Sequence, residues 1–168
     1  MRKYQLLTIF AFSVLLQSSL ATAQEAKPTE KKASQPTQAE LEKNFSAHLS
    51  GSALVGQFSI NGQATDKPAR AERYELESVT KLRDNYWVFL ARIKYGKNDV
   101  KIPITLQVLW AGDTPMISMT DITIPGMGTF TARVMFHGDR YAGTWQHGKV
   151  GGHMWGMIDK SEKPKDEK

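Results

Sequence analysis

Apolar and polar residues alternate with a period of two through the middle of this chain, the signature of strands with one buried face. In "DVKIPITLQVLW", Val100, Ile102, Ile104, Leu106, Val108 and Trp110 alternate with Lys101, Pro103, Thr105, Gln107 and Leu109. "ERYELESVTKLRD" sets Tyr74, Leu76, Ser78, Thr80 and Leu82 against Arg73, Glu75, Glu77, Val79, Lys81 and Arg83. "YWVFLARIKYG" sets Trp87, Phe89, Ala91, Ile93 and Tyr95 against Arg92 and Lys94, and "TFTARVMFH" places Phe130, Ala132, Val134 and Phe136 on one face. Short turn signals separate these runs: "RDN", "AGDTP", "PGMG" and "GD". Pro103 cannot donate to a ladder and predicts a bulge or kink.

With "ALVGQFSING" before them and "MISMTDITI", "RYAGTWQH" and "GHMWGMI" among them, the runs make about eight strands over residues 45–158. The fold class that follows is all-β, an antiparallel up-and-down meander closed into a barrel. Turn-to-turn connections disfavour a Greek key, and closure removes exposed strand edges. A barrel of this strand number is either filled by side chains or holds one small ligand. That choice governs the function.

The flanks read differently. Arg2 and Lys3 precede the apolar run "LLTIFAFSVLL", and Ala21-Thr22-Ala23 is a small-x-small cleavage site. Residues 1–23 are therefore expected to be a signal peptide and the protein to be exported, to the periplasm or the cell exterior. The run is short for a bilayer span, so no stable membrane anchor is expected after cleavage. Residues 24–44 form a polar leader with a short helix expected at "TQAELEKNF", where Thr37 caps and Glu40 completes a capping box. Residues 159–168 form a polar tail.

Composition narrows the chemistry. The 168 residues contain no Cys, which excludes disulfides, thiol catalysis and thiolate-held metal. Lys and Arg number 22 against 17 Asp and Glu, scattered or confined to the flanks, so nucleic acid is not an expected partner.

"VGQF" (Val55 to Phe58) on the first strand is similar to the Gly-x-Trp of lipocalins, with Phe in place of Trp. "MTDI" (Met119 to Ile122) resembles their Thr-Asp-Tyr turn motif, with Ile in place of Tyr, and Arg133 or Arg140 stands roughly where a late-strand Arg packs over the first-strand aromatic. The chain thus resembles the calycin group of lipocalins, fatty-acid-binding proteins and avidin-like barrels. The resemblance implies a barrel open at one end that holds an apolar molecule.

Candidate chemistry concentrates in "YAGTWQHGKVGGHMWGM", residues 141–157. A two-residue loop at Lys149-Val150 pairs Gln146 with His153. A three-residue loop pairs His147 with His153 and Trp145 with Trp155. In that second register His147, His153 and the neighbouring His137 are candidate ligands for zinc or copper, since imidazole suits both. The alternative is that these histidines are polar residues flanking turns. Asp121 lies in an apolar strand, either as a buried carboxylate or as a hydrogen-bond partner for a neighbouring turn. Glu72, Glu75 and Glu77 read as a solvated strand face, and no nucleophile elbow or paired-carboxylate site is evident, so the chain is not expected to be an enzyme.

The leading expectation is a carrier of a small apolar or amphipathic molecule in the barrel mouth, with no cofactor, contacted by Tyr74, Trp87, Phe89, Trp110, Trp145 and Trp155. The alternatives are a filled barrel acting as an interaction or inhibitor module for another envelope protein, and a metal-binding role for the histidines.

Overall fold

The computed structural model describes residues 35–63, 67–95 and 98–160. The expected signal peptide, the leader as far as residue 34 and the tail from residue 161 lie outside the described residues. One helix, α1 (Gln38–Leu49), precedes eight strands: β1 (Ser52–Phe58), β2 (Arg70–Arg83), β3 (Tyr86–Tyr95), β4 (Asn98–Ala111), β5 (Thr114–Ile124), β6 (Gly128–His137), β7 (Arg140–His147) and β8 (Val150–Asp159). Each strand runs antiparallel to the next and β8 returns to β1, so the sheet closes into an up-and-down barrel. Among the described residues no helix is long and apolar enough to cross a membrane.

Four hairpins turn in two residues, pairing Arg83 with Tyr86, Ala111 with Thr114, His137 with Arg140 and His147 with Val150. The tightness is explained by residues in the left-handed region at the first turn position: Asp84 at φ 44°, then Gly112, Gly138 and Gly148. Such φ values match the turn to the twist of the flanking strands.

Helix α1 begins with the expected capping box. The Thr37 backbone N–H donates to the Glu40 carboxylate at 2.8 Å, and the Glu40 backbone N–H donates to the Thr37 hydroxyl at 3.3 Å. Phe45 and Leu49, four residues apart and so on one face, are both buried. The Phe45 ring meets Trp87, Trp110 and Phe136 edge-on, with centroids 5.4, 5.8 and 5.8 Å away. The helix thus plugs one end of the barrel. Ser46 Oγ donates to the Val79 carbonyl at 2.6 Å, the Val79 N–H donates to Ser50 Oγ at 2.9 Å, and Lys81 Nζ reaches the Glu42 carboxylate at 2.7 Å. Residues 38–44, expected to lie in the leader, belong to this helix.

Two strand readings need correction. A register shift between Leu76 and Ser78 inserts an extra residue into β2. Beyond this bulge the faces exchange: Val79 is fully buried, whereas Leu82 is 58 % exposed. In β4 no bulge occurs at Pro103, and the ladder to β3 runs unbroken through the Leu90–Pro103 pair. β4 pairs with β5 only from Gln107 to Ala111. Pro103 thus lies on a stretch laddered on one side alone, the edge-like position proline tolerates.

Candidate functional site

The inward faces of the strands do not fill the barrel. They leave a cavity of about 190 Å³, with Phe136 toward the plugged end and Met127, Phe130 and His147 at the opposite one. Its lining is almost wholly aliphatic and aromatic; only Glu72, Tyr74, Trp145 and His147 bring a nitrogen or oxygen to it. No Lys or Arg is among the lining residues.

Glu72 is the unexpected member. Its position on β2 has the same parity as Tyr74 and Leu76, so it points inward, and only 8 % of its surface is exposed. The Tyr74 hydroxyl donates to one carboxylate oxygen at 3.0 Å and the Tyr141 hydroxyl to the other at 2.9 Å. Burial pushes the carboxyl pKa up from 4.5 to about 6, against the opposing pull of the two phenolic hydrogen bonds. Burial and the adjacent carboxylate also raise the Tyr141 phenol well above its ordinary value.

Tyr141 reaches Glu72 because two intervening strands offer it no side chains. Pairing runs Tyr141 to Gly156, Gly156 to Gly56, and Gly56 to Glu72, across β7, β8, β1 and β2. A Cβ at Gly56 would overlap the Tyr141 hydroxyl, and one at Gly156 would stand 2.8 Å from the Tyr141 ring. The paired glycines form the bed on which the buried ring lies. No local pattern in the sequence marks the residue that these glycines admit.

The aromatic residues expected to contact a ligand separate into three groups. Tyr74, Phe89 and Trp145 line the cavity, and the Trp145 indole N–H donates to the Ser59 carbonyl at 3.2 Å. Trp87 and Trp110 instead pack around Phe45 beneath the helix. Trp155 is on the outer wall, 41 % exposed, because even-numbered residues of β8 face inward.

The histidines do not converge. The β7–β8 hairpin takes neither expected register: its loop is Gly148-Lys149, which pairs Thr144 with His153 and Trp145 with Gly152. Consequently His147 faces the cavity, its ring 4.5 Å from that of Phe130, while His153 is exposed on the outside. His137 is exposed beside the β6–β7 turn, at the helix end of the barrel. Among the described residues no group of three His, Asp or Glu side chains stands close enough to hold a metal ion.

Asp121 is exposed rather than buried. It occupies another register shift, between Met119 and Ile122, with φ 51°, and its carboxylate accepts from the Thr131 hydroxyl at 3.0 Å. Arg133 does not cover the first-strand aromatic; its guanidinium donates to the Met119 carbonyl at 2.6 Å and to the Thr120 hydroxyl at 2.9 Å on the exterior. Arg140 is exposed at the start of β7. Phe58 packs instead against Trp145, ring centroids 5.6 Å apart. Likeness to the calycin group therefore holds for the barrel architecture and not for these motifs. No protein-family model matches the chain, and neither the curated proteins nor the solved structures give a match.

Proposed function

We propose that the chain is an exported, calycin-like carrier that holds a small apolar or amphipathic molecule inside its barrel. The observation that carries this reading is the apolar cavity of about 190 Å³ enclosed by the buried aliphatic and aromatic core. Apolar concavities with a few convergent polar groups are the usual form of a small-molecule site. Glu72, Tyr74 and His147 are those groups. The test is native mass spectrometry of the protein purified gently from its own host. An added organic mass, lost on denaturation, supports the carrier; a bare chain mass together with no uptake of apolar probes refutes it.

A second reading, an interaction module for another envelope protein, is favoured by one feature of the outer wall. Pairing brings Met135, Ala142 and Trp155 into one row and sets Met157 beside Val55 in the next, and all five are exposed. Contiguous exposed apolar surface of this kind marks contact sites. Cross-linking in the host with a photoreactive group at position 155 tests it; absence of any cross-linked protein removes this reading.

A further inference from the structure

We propose that the cavity selects amines: ligands whose small apolar body carries one cationic nitrogen, seated against the Glu72 carboxylate. This rests on the carrier reading and specifies its ligand class. The argument begins with charge. Glu72 is the single carboxyl among the lining residues, and no Lys or Arg accompanies it. Its surroundings on β1, β7 and β8 are Gly56, Tyr141 and Gly156, and its same-face neighbours on β2 are Tyr74 and Arg70; Arg70 is the one cation of these, and it is exposed and not among the lining residues. His147 is the one lining residue that gains a charge by protonation, and it is exposed at the cavity end, stacked on Phe130.

Each carboxylate oxygen accepts one tyrosine hydroxyl, which leaves acceptor capacity, since an ionised carboxylate offers about four lone-pair sites. An ion buried without a counter-ion is costly, and a ligand that brings the missing cation removes that cost while completing the hydrogen bonds. A carboxylate ligand would set like charges together in an apolar space. The lining therefore discriminates by sign as well as by hydrophobicity.

Size bounds the body. A cavity of about 150 Å³ holds benzene, so about 190 Å³ suits one ring with a short arm or an alkyl chain of similar bulk. The row of Gly56 and Gly156 that admits Tyr141 also fixes the carboxylate, because the phenol anchors it from the far side. Glu72 is thus held in place by two hydroxyls rather than free to swing out to water.

Isothermal titration calorimetry of the full chain with phenethylamine, phenethyl alcohol and hydrocinnamate tests the proposal, at about pH 7.5, where Glu72 is ionised. A hydrogen bond to a charged group predicts that the amine binds at least about tenfold tighter than the alcohol, with hydrocinnamate weakest. In Glu72→Gln the amine falls to the level of the alcohol, whereas alcohol binding holds within about threefold, a split that a purely structural role for Glu72 would not produce. Equal affinity for amine and alcohol in the wild type overturns amine selection and leaves the carrier standing, and the wild-type ranking decides this even where the variant folds poorly. Failure of all three probes to bind overturns amine selection, and the carrier reading falls with it where the native mass is also that of the bare chain.

Discussion

Glu72→Gln should flatten the pH dependence of stability between about pH 4.5 and 6. The carboxyl ordinarily titrates at 4.5 and does so at about 6 in the folded barrel, because burial disfavours its charge. The native state therefore holds this proton more tightly than the unfolded chain. Its contribution is fully present below pH 4.5 and is lost as the pH rises through 6. The interval from 4.5 to about 6 corresponds to at most about 2 kcal/mol, a sizeable fraction of the 5–15 kcal/mol typical of a domain. Glutamine keeps the shape and a hydrogen-bonding head group but has no proton to lose. Glu40 acts in the opposite sense, since its bonds to Thr37 lower its pKa, but it is present in both proteins and cancels in the comparison. Urea unfolding of the two proteins at intervals from pH 4 to 8 should show wild type losing up to about 2 kcal/mol relative to the variant across the window. Parallel curves for the two proteins would refute the claim that Glu72 is ionised at a desolvated site.

Three further outcomes follow from the packing. Phe45→Ala removes the ring around which Trp87, Trp110 and Phe136 gather and should cost about 3–5 kcal/mol in urea unfolding; a loss below about 1 kcal/mol would show that the helix does not seal the barrel. Gly156→Ala would press a methyl group into the Val55 carbonyl, the Gly56 backbone and the Tyr141 ring. It should destabilise by about 1–3 kcal/mol or more, read as a fall in the thermal midpoint, whereas an unchanged midpoint would contradict the glycine bed. Trp155→Ala should leave stability within about 0.5 kcal/mol and probe binding unchanged, since the side chain is on the outer wall; a loss of binding would return it to the site.

The barrel was legible because its strands keep a strict period of two over long stretches and its turns carry Gly or Asp where φ must be positive. What escaped reading has specific physical causes. The bulge in β2 leaves good alternation on both sides of Glu77, so a single phase drawn through "ELESVTKL" places Val79 outside and Leu82 inside, the reverse of their burial. The β7–β8 register escaped because "GKVGG" supplies a glycine to several competing turns, and a one-residue difference flips every side chain. Phe45 and Leu49 share a helix face within a polar stretch, but only the open end of a barrel gives that face something to cover.

Glu72 is the instructive case. Its sequence neighbours are Arg73, Glu75 and Glu77, and composition alone reads the group as a solvated edge. Parity says otherwise, since Glu72, Tyr74 and Leu76 alternate onto the face that holds the core. A charged residue in phase with the apolar face is the sequence-level signal of a buried ionisable group, and such groups concentrate at functional sites. The rest of the arrangement depends on shear. Closure of the sheet brings Tyr141, 69 residues away, to within 2.9 Å of that carboxylate across two glycines, which no local pattern encodes. Carboxylate, tyrosines and apolar cavity come together only once the barrel is closed, and the proposed ligand preference rests on Glu72 being the single carboxyl, with no Lys or Arg, among the lining residues.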